Sequence, residues 1–251
     1  MKHFILPDVQ AKDGHSFEFL TKAGQYVLDK RPEKLICLGD FADMPSLSSY
    51  DKGTKSFEGR RYTKDISAAH SAMAAFLAPI NLHNERAKKN GKKQYKPEMH
   101  LFLGNHEERI NKVVNLDPKL EGMLSIKDLR YEDFGWKVYP FLEVGIIDGV
   151  AYSHYFTSGL LGRPVTTASA CLSKKHMSCI QGHQQGLQIA SATRADGKMI
   201  TSIIAGSFYE HDEEYMGPQQ NNHWRGCLML HEVDDGHFDI MPLSLKYLQN
   251  R

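Results

Sequence analysis

The chain has 251 residues, 41% hydrophobic and 24% charged, which suits one domain able to bury a sizeable core. Its formal net charge is +1 with histidine neutral, so no global field draws it to nucleic acid or to an anionic membrane, and any such binding must be local. Four cysteines without a CxxC pair speak against a disulfide framework or a zinc ribbon, no apolar run is long enough to span a bilayer, and the short apolar start before Pro7-Asp8 predicts no signal peptide. A reducing, cytoplasmic setting is expected.

In chain order, His3 to Val9 reads as a first strand. Phe17, Leu20, Ala23, Tyr26 and Val27 fall at helical spacing between Ser16 and Lys30, and Pro32 closes that helix. Lys34 to Leu38 is a second strand, so the opening is β-α-β with a parallel pair. Met44 to Arg61 is a polar loop, long for a connection. An alanine-rich helix is predicted from Asp65 to about Ala87, and Arg86, Lys88, Lys89, Lys92, Lys93 and Lys96 then form a basic stretch, either solvated or aimed at a phosphate backbone. Met99 to Leu103 is a third parallel strand. Glu107 to about Tyr131 is mostly helical, with a break at Asp117-Pro118.

The second half is strand-rich. Trp136–Tyr139, Leu142–Ile147 and Val150–Tyr155 are short β-branched or aromatic runs, and Asp148-Gly149 is a hairpin signal. Ser178–Ile180, Leu187–Ala192, Met199–Ala205, Cys227–Val233 and His237–Leu243 continue the pattern. There is no internal repeat, no P-loop and no GxSxG elbow.

Polar residues cluster where strands end. Asp8 and Gln10 follow the first strand, Asp40 the second, and Asn105 and His106 the third. His154 ends a later strand, and His183 and Gln185 follow another. Ligands bind at the carboxyl ends of strands in open α/β sheets, and these side chains suit a divalent ion of borderline hardness. Each has an ordinary alternative as a cap, a turn residue or a core histidine. Together they point to a metal site, with room for two ions if Asp40 bridges them.

This order, Asp8-x-Gln10, Gly39-Asp40-x-x-Asp43, Gly104-Asn105-His106-Glu107, His154 and Gly182-His183-x-Gln185, resembles the calcineurin-like metallophosphoesterases. The stretches Gly39 to Gly59 and Val150 to Pro164 look most like the phage- and prophage-encoded branch, which would place the protein in a bacterial host cytoplasm. The resemblance implies an α/β fold, a four-layer α-β-β-α sandwich of two mixed sheets flanked by helices, as a single domain over residues 1–251. It implies two divalent ions, with Mn²⁺ foremost and Fe, Zn, Ni or Mg²⁺ as alternatives. Asp8, Gln10, Asp40 and Gln185 would hold one, and Asp40, Asn105, His154 and His183 the other. His106 would be the general acid, oriented by Asp43, as a metal-bridging hydroxide attacks phosphorus in line.

The chain departs from the family's usual pattern at Gln10 and Gln185, where histidines are common. Both changes fall on one ion, which should bind more weakly. Met44-Pro45 after Asp43 is unlike the protein phosphatases, and Asp43 stands where the double-strand-break nucleases carry His. The expected activity is hydrolysis of a phosphomono- or phosphodiester of nucleotide or nucleic-acid type. The alternatives are a DNA nuclease using the basic stretch and a non-catalytic metal-binding descendant. Arg109 and Arg163 are expected to hold substrate phosphate, with Arg60 and Arg61 as weaker candidates. Glu107 is assigned to the helix N-terminus, His211 to Glu214 to a solvated acidic loop, and Tyr152 and Tyr155 to the strand core or to base stacking.

Overall fold

The opening strand His3–Leu6 shows how the layers arise. Phe4 and Leu6 point into one apolar cluster and Ile5 into another, the two-residue alternation of a strand buried on both faces. The computed structural model describes residues 1–49, 53, 55–213 and 217–251. After β1 (His3–Leu6), α1 (Glu18–Lys30) crosses to β2 (Lys34–Cys37), and α2 (Tyr62–Lys89) crosses to β3 (Glu98–Phe102). Next come α3 (Glu108–Leu116) and β4 (Lys137–Tyr139). The strands β1 to β4 are mutually parallel, in register pairs such as Ile5 with Ile36 and Ile36 with His100.

The second sheet follows: β5 (Gly145–Ile147), β6 (Val150–Ser153), the small hairpin β7 (Thr157–Ser158) with β8 (Arg163–Pro164), α4 (Ala168–Lys175), β9 (Cys179–Gln181), β10 (Leu187–Thr193) and β11 (Met199–Ala205). Its order is β10-β11-β9-β6-β5, with β11, β9 and β6 parallel and the outer pairs antiparallel. After α5 (Gly217–Asn221), the chain returns through β12 (Gly226–Asp234) and β13 (His237–Ser244) to complete the first sheet as β13-β12-β1-β2-β3-β4, and α6 (Leu245–Gln249) closes it.

Three cores separate these layers. Phe19, Leu20, Ala23 and Val27 of α1 and Ala69, Ala72, Met73 and Phe76 of α2 cover Phe4, Leu35, Cys37 and Leu101 on the outer face of the first sheet. Ile5, Ile36, Leu38 and Phe102 meet Val150, Tyr152, Ile180 and Ile203 between the sheets. Cys171 of α4 covers Ala151 and Cys179 on the far face. The fold is thus the mixed α/β arrangement expected: two mixed sheets flanked by helices, in the order α-β-β-α.

Differences from the sequence reading are local. The strand expected from Leu142 begins at Gly145, because Leu142 has a left-handed backbone (φ 68°) in the turn before it. The helix expected from Glu107 to Tyr131 ends at Leu116 and continues as short 3-10 turns. Helix α4, not anticipated, buries only Ala168, Cys171 and Leu172, too few for a clear periodic signal. The long loop after Met44 is described only in part, since residues 50–52 and 54 lie outside the described residues.

The α1–α2 contact is close at Gly24, where an added Cβ would sit 2.0 Å from the Phe76 carbonyl oxygen. Helix propensity favours alanine over glycine by about 1 kcal/mol, but a clash with backbone cannot relax by turning a side chain. The steric penalty should win. Gly24→Ala is expected to lower unfolding free energy by about 2–3 kcal/mol, read by denaturant titration.

Candidate metal centre

Parallel pairing aligns strand ends, and short hydrogen bonds continue that alignment past the strands. Gln10 N donates to Asp40 O (2.8 Å), Ala11 N to Phe41 O (2.8 Å) and Gly182 N to His154 O (2.9 Å). The first two tie the segment after β1 to the one after β2, and the third ties the ends of β6 and β9. Gln10, Asp40 and His183 all have positive φ, at 48°, 46° and 66°. Left-handed backbone at three such side chains is strain held in place by the surrounding bonds.

At the centre, an Asp40 oxygen and ring nitrogens of His154 and His183 lie within 4.8 Å of one another. His154 sets its ring by placing Nδ1 2.8 Å from the Leu38 carbonyl, so that Nε2 faces Asp40 Oδ2 (3.4 Å) and Asn105 Oδ1 (2.9 Å). A ring nitrogen committed to a backbone carbonyl is how ligating histidines are oriented. Burial disfavours charge on His154, yet Asp40 and Asp8 raise it to about 9. Burial opposes ionisation of Asp40 as well, but His106 and His154 hold it below the usual carboxylate range. His183 goes the other way: burial and then His154 lower it to about 4, leaving a neutral imidazole. Its backbone N–H donates to the Asp8 carboxylate at 3.1 Å.

The glycines that open two of the motifs are there for space. A Cβ on Gly104 would lie 2.1 Å from Asp40 Oδ1, and one on Gly182 would lie 2.3 Å from Asp8 Oδ1. Asp8 itself is fully buried, and that burial raises it to about 7 against the opposing pull of His154. Beside it, Gln10 Oε1 is buried without a hydrogen-bond partner among the described residues. An orphaned buried carbonyl costs about 1–3 kcal/mol, and a cation would satisfy it. Gln185 Oε1 accepts from Tyr209 Oη at 3.2 Å and keeps a second lone pair. The donor set at Asp40, His154 and His183 therefore fits a divalent cation.

His106 lies on the other flank of Asp40. Its Nδ1 is 2.8 Å from Asp43 Oδ1, its backbone N–H donates to Asp40 Oδ1 (2.8 Å), and its Nε2 is 3.7 Å from Asp40 Oδ2. Arg109 donates to the Asp43 carbonyl at 2.7 Å and reaches His106 Nε2 at 3.1 Å. A guanidinium only donates, so that contact describes a neutral ring with its proton on Nδ1. Charge pulls the opposite way, since Asp40 and the Asp43 hydrogen bond raise His106 despite its burial. Lys12 stands nearby, 3.9 Å from Asp43 Oδ2 and 3.0 Å from Glu213 Oε1.

Glu107 is not simply a residue at a helix N-terminus. Its carboxylate is fully buried and accepts from Asp40 N (3.0 Å), Ala42 N (2.9 Å), Gly104 N (2.9 Å) and Tyr131 Oη (3.2 Å). The acidic loop is likewise not fully solvated. Glu213 is buried and pairs with Lys12 and with His211 (2.7 Å), while Glu214 lies outside the described residues. Tyr152 is buried with its hydroxyl on His3, whereas Tyr155 borders His183.

Arg163 is exposed on β8 and makes no hydrogen bond or ion pair to the cluster among the described residues. Arg60 and Arg61 donate to the carbonyls of Pro45 and Arg60 within their own loop. The basic stretch covers the last turn of α2 (Arg86, Lys88, Lys89) and the loop before β3 (Lys92, Lys93, Lys96), so it lies at the amino end of the strand whose carboxyl end leads to Asn105.

No family model matches the chain, and no curated protein does. Among solved structures it is similar to the YfcE phosphoesterase from E. coli at 11% identity, covering 97% of this chain and 100% of that one, with a TM-score of 0.38. A likeness that distant carries no argument about chemistry.

Glu107→Gln keeps the shape but turns an amide NH₂ toward backbone donors. With at least one buried N–H left unsatisfied, unfolding free energy should fall by about 2–4 kcal/mol, measured by denaturant titration. Metal uptake should weaken alongside, because Asp40 and Gly104 lose their shared anchor.

Proposed function

We propose that the chain is a metal-dependent phosphoesterase acting on a phosphomono- or phosphodiester of nucleotide or nucleic-acid type, with residues 1–251 as one domain. The convergence of Asp40, His154 and His183 donors within 4.8 Å carries this reading. His154, His183, Asn105 and Asp40 would hold one divalent ion. Asp40, Asp8, Gln10 and Gln185 would hold a second, weaker one, with Mn²⁺ the best match to mixed nitrogen and neutral-oxygen donors. When bound, such ions polarise the phosphoryl oxygens and acidify a water.

The chain's own residues do the rest. A phosphoryl oxygen is a stronger acceptor for Arg109 than an imidazole lone pair. Substrate therefore draws the guanidinium off His106 Nε2, which leaves that nitrogen free to carry the proton favoured by Asp40 and Asp43. Asp43 fixes the ring through Nδ1, and Nε2 gives its proton to the leaving oxygen. The position of the basic stretch, a strand length from Asn105, weighs against a nuclease that relies on it. A binding-only descendant is the reading of another class.

Hydrolysis of bis-p-nitrophenyl phosphate with added Mn²⁺ is the test. Asp40→Ala should abolish it, and His106→Ala should lower kcat about 100-fold or more. Metal binding without hydrolysis of mono- or diester would leave the binding-only reading. Gln10→His should tighten the weaker ion in a calorimetric titration, and unchanged stoichiometry and affinity would count against that assignment.

Metal uptake should also release protons. Asp8 ionises at about 7, above its ordinary 3.8, and His154 at about 9, above 6.5, and both must deprotonate to ligate. Raised values favour the metal-free fold at low pH. The Asp8 contribution fades as pH climbs to about 7 and that of His154 as it climbs to about 9. The gain in thermal midpoint from Mn²⁺ should therefore be larger near pH 8 than near pH 6, as read by scanning calorimetry.

A further inference from the structure

The two flanks of Asp40 differ in chemistry. The His106 flank carries Arg109 and Lys12, both within 4 Å of an Asp43 carboxylate oxygen. The His154 flank carries rings. Tyr155 directly follows His154 in sequence, and its ring centroid lies 4.6 Å from His183 and 5.6 Å from His154. Phe141, from the loop after β4, meets Tyr155 edge to face at 5.6 Å and His154 at 6.3 Å.

Ordinary structural roles do not account for Tyr155. It is half-buried and belongs to none of the three apolar cores. Its hydroxyl makes no hydrogen bond among the described residues, whereas Tyr152 binds His3, Tyr139 binds His100 and Tyr131 binds Glu107. The segments that bring the two rings together also leave apolar side chains in solvent. Val144 is 47% exposed beside Phe141, and Leu160 and Leu161, in the β7–β8 hairpin after Tyr155, are 106% and 78% exposed. Cations on one side of the Asp40 cluster and half-buried rings on the other match a ligand that joins a phosphate to a flat apolar group.

Resting on the phosphoesterase reading, we propose that Tyr155, backed by Phe141, is a stacking platform for a nucleobase, and that the substrate is a nucleoside phosphoester whose base lies on the His154–His183 flank. Stacking of a base on an aromatic side chain is sequence-tolerant and strong enough to set preference between substrates. The platform would make Tyr155 a specificity-determining residue with no part in the bond-breaking step.

Two esters with one leaving group test this: thymidine 5′-(p-nitrophenyl phosphate) and methyl p-nitrophenyl phosphate, with the full Mn²⁺-loaded chain. The wild type should prefer the nucleoside ester by about tenfold or more in kcat/KM, mostly through KM. Tyr155→Leu should bring that ratio close to one, and Tyr155→Phe should retain it. Phe141→Leu, a milder change, should lower the ratio in the same direction and serves if Tyr155→Leu proves unfolded by circular dichroism. A wild-type ratio near one overturns the platform. So does a Tyr155→Leu variant that slows both esters equally, since Tyr155 then only supports His183. Hydrolysis of neither ester overturns the platform, and if p-nitrophenyl phosphate is also left intact it overturns the phosphoesterase reading with it.

Discussion

One carboxylate holds the centre of this molecule together. Glu107 reaches back from the start of α3 and accepts from backbone N–H groups of Asp40, Ala42 and Gly104. These belong to the two loops that carry Asp40 and Asn105, so the spacing of the candidate ligands is held by a side chain that meets their backbone rather than their donor atoms. A fully buried carboxylate is expensive to desolvate, and burial together with Asp40 does raise its proton affinity. Four donors converging on its two oxygens offset that cost. They also remove backbone N–H groups that would otherwise be orphaned in loops of irregular shape. The loop geometry and the buried charge therefore require each other.

The same logic runs outward to Asp40. Its backbone is left-handed, its Oδ1 sits where a Cβ on residue 104 would be, and its two oxygens are shared between the His106 backbone and the flanking rings. In the metal-free protein, the raised proton affinity of His154 puts positive charge between Asp40 and Asn105. A divalent cation held by Asp40, His154 and His183 would take the place of that proton. His183 differs, since burial and the charge of His154 lower its proton affinity.

Much of this was legible in the sequence, for identifiable reasons. Parallel strands buried on both faces read as continuous apolar runs, so His3–Leu6, Lys34–Cys37 and Glu98–Phe102 stood out. A glycine followed by a ligand-type side chain at a strand end records two constraints at once, space and chemistry, which is why Gly104-Asn105 and Gly182-His183 could be found. Glu107 could not be read the same way. Its partners are backbone amides, which leave no mark on residue identity. The cysteines were expected to form no disulfide framework, and all four are free; what their spacing does not show is that α4 packs over β9 and sets the sulfurs of Cys171 and Cys179 3.3 Å apart. Arg109 was placed near the site by helical spacing, but its actual hydrogen bonds, to the carbonyls of Asp43 and Met44, depend on how the preceding loop ends.

The glutamines are where sequence and structure inform each other most. Substituting an imidazole by an amide removes a nitrogen donor but keeps an oxygen of similar reach. In isolation this looks like decay of a site. The conformation of Gln10 bears on this. A residue released from function would relax to a conformation that satisfies its amide, and solvent or a neighbouring N–H is seldom far from a strand end. Gln10 instead holds a left-handed backbone and keeps its carbonyl buried and unpartnered among the described residues, two positions after an Asp8 whose proton affinity is raised by burial. Both features, two positions apart in the chain, are ones that a nearby cation would relieve.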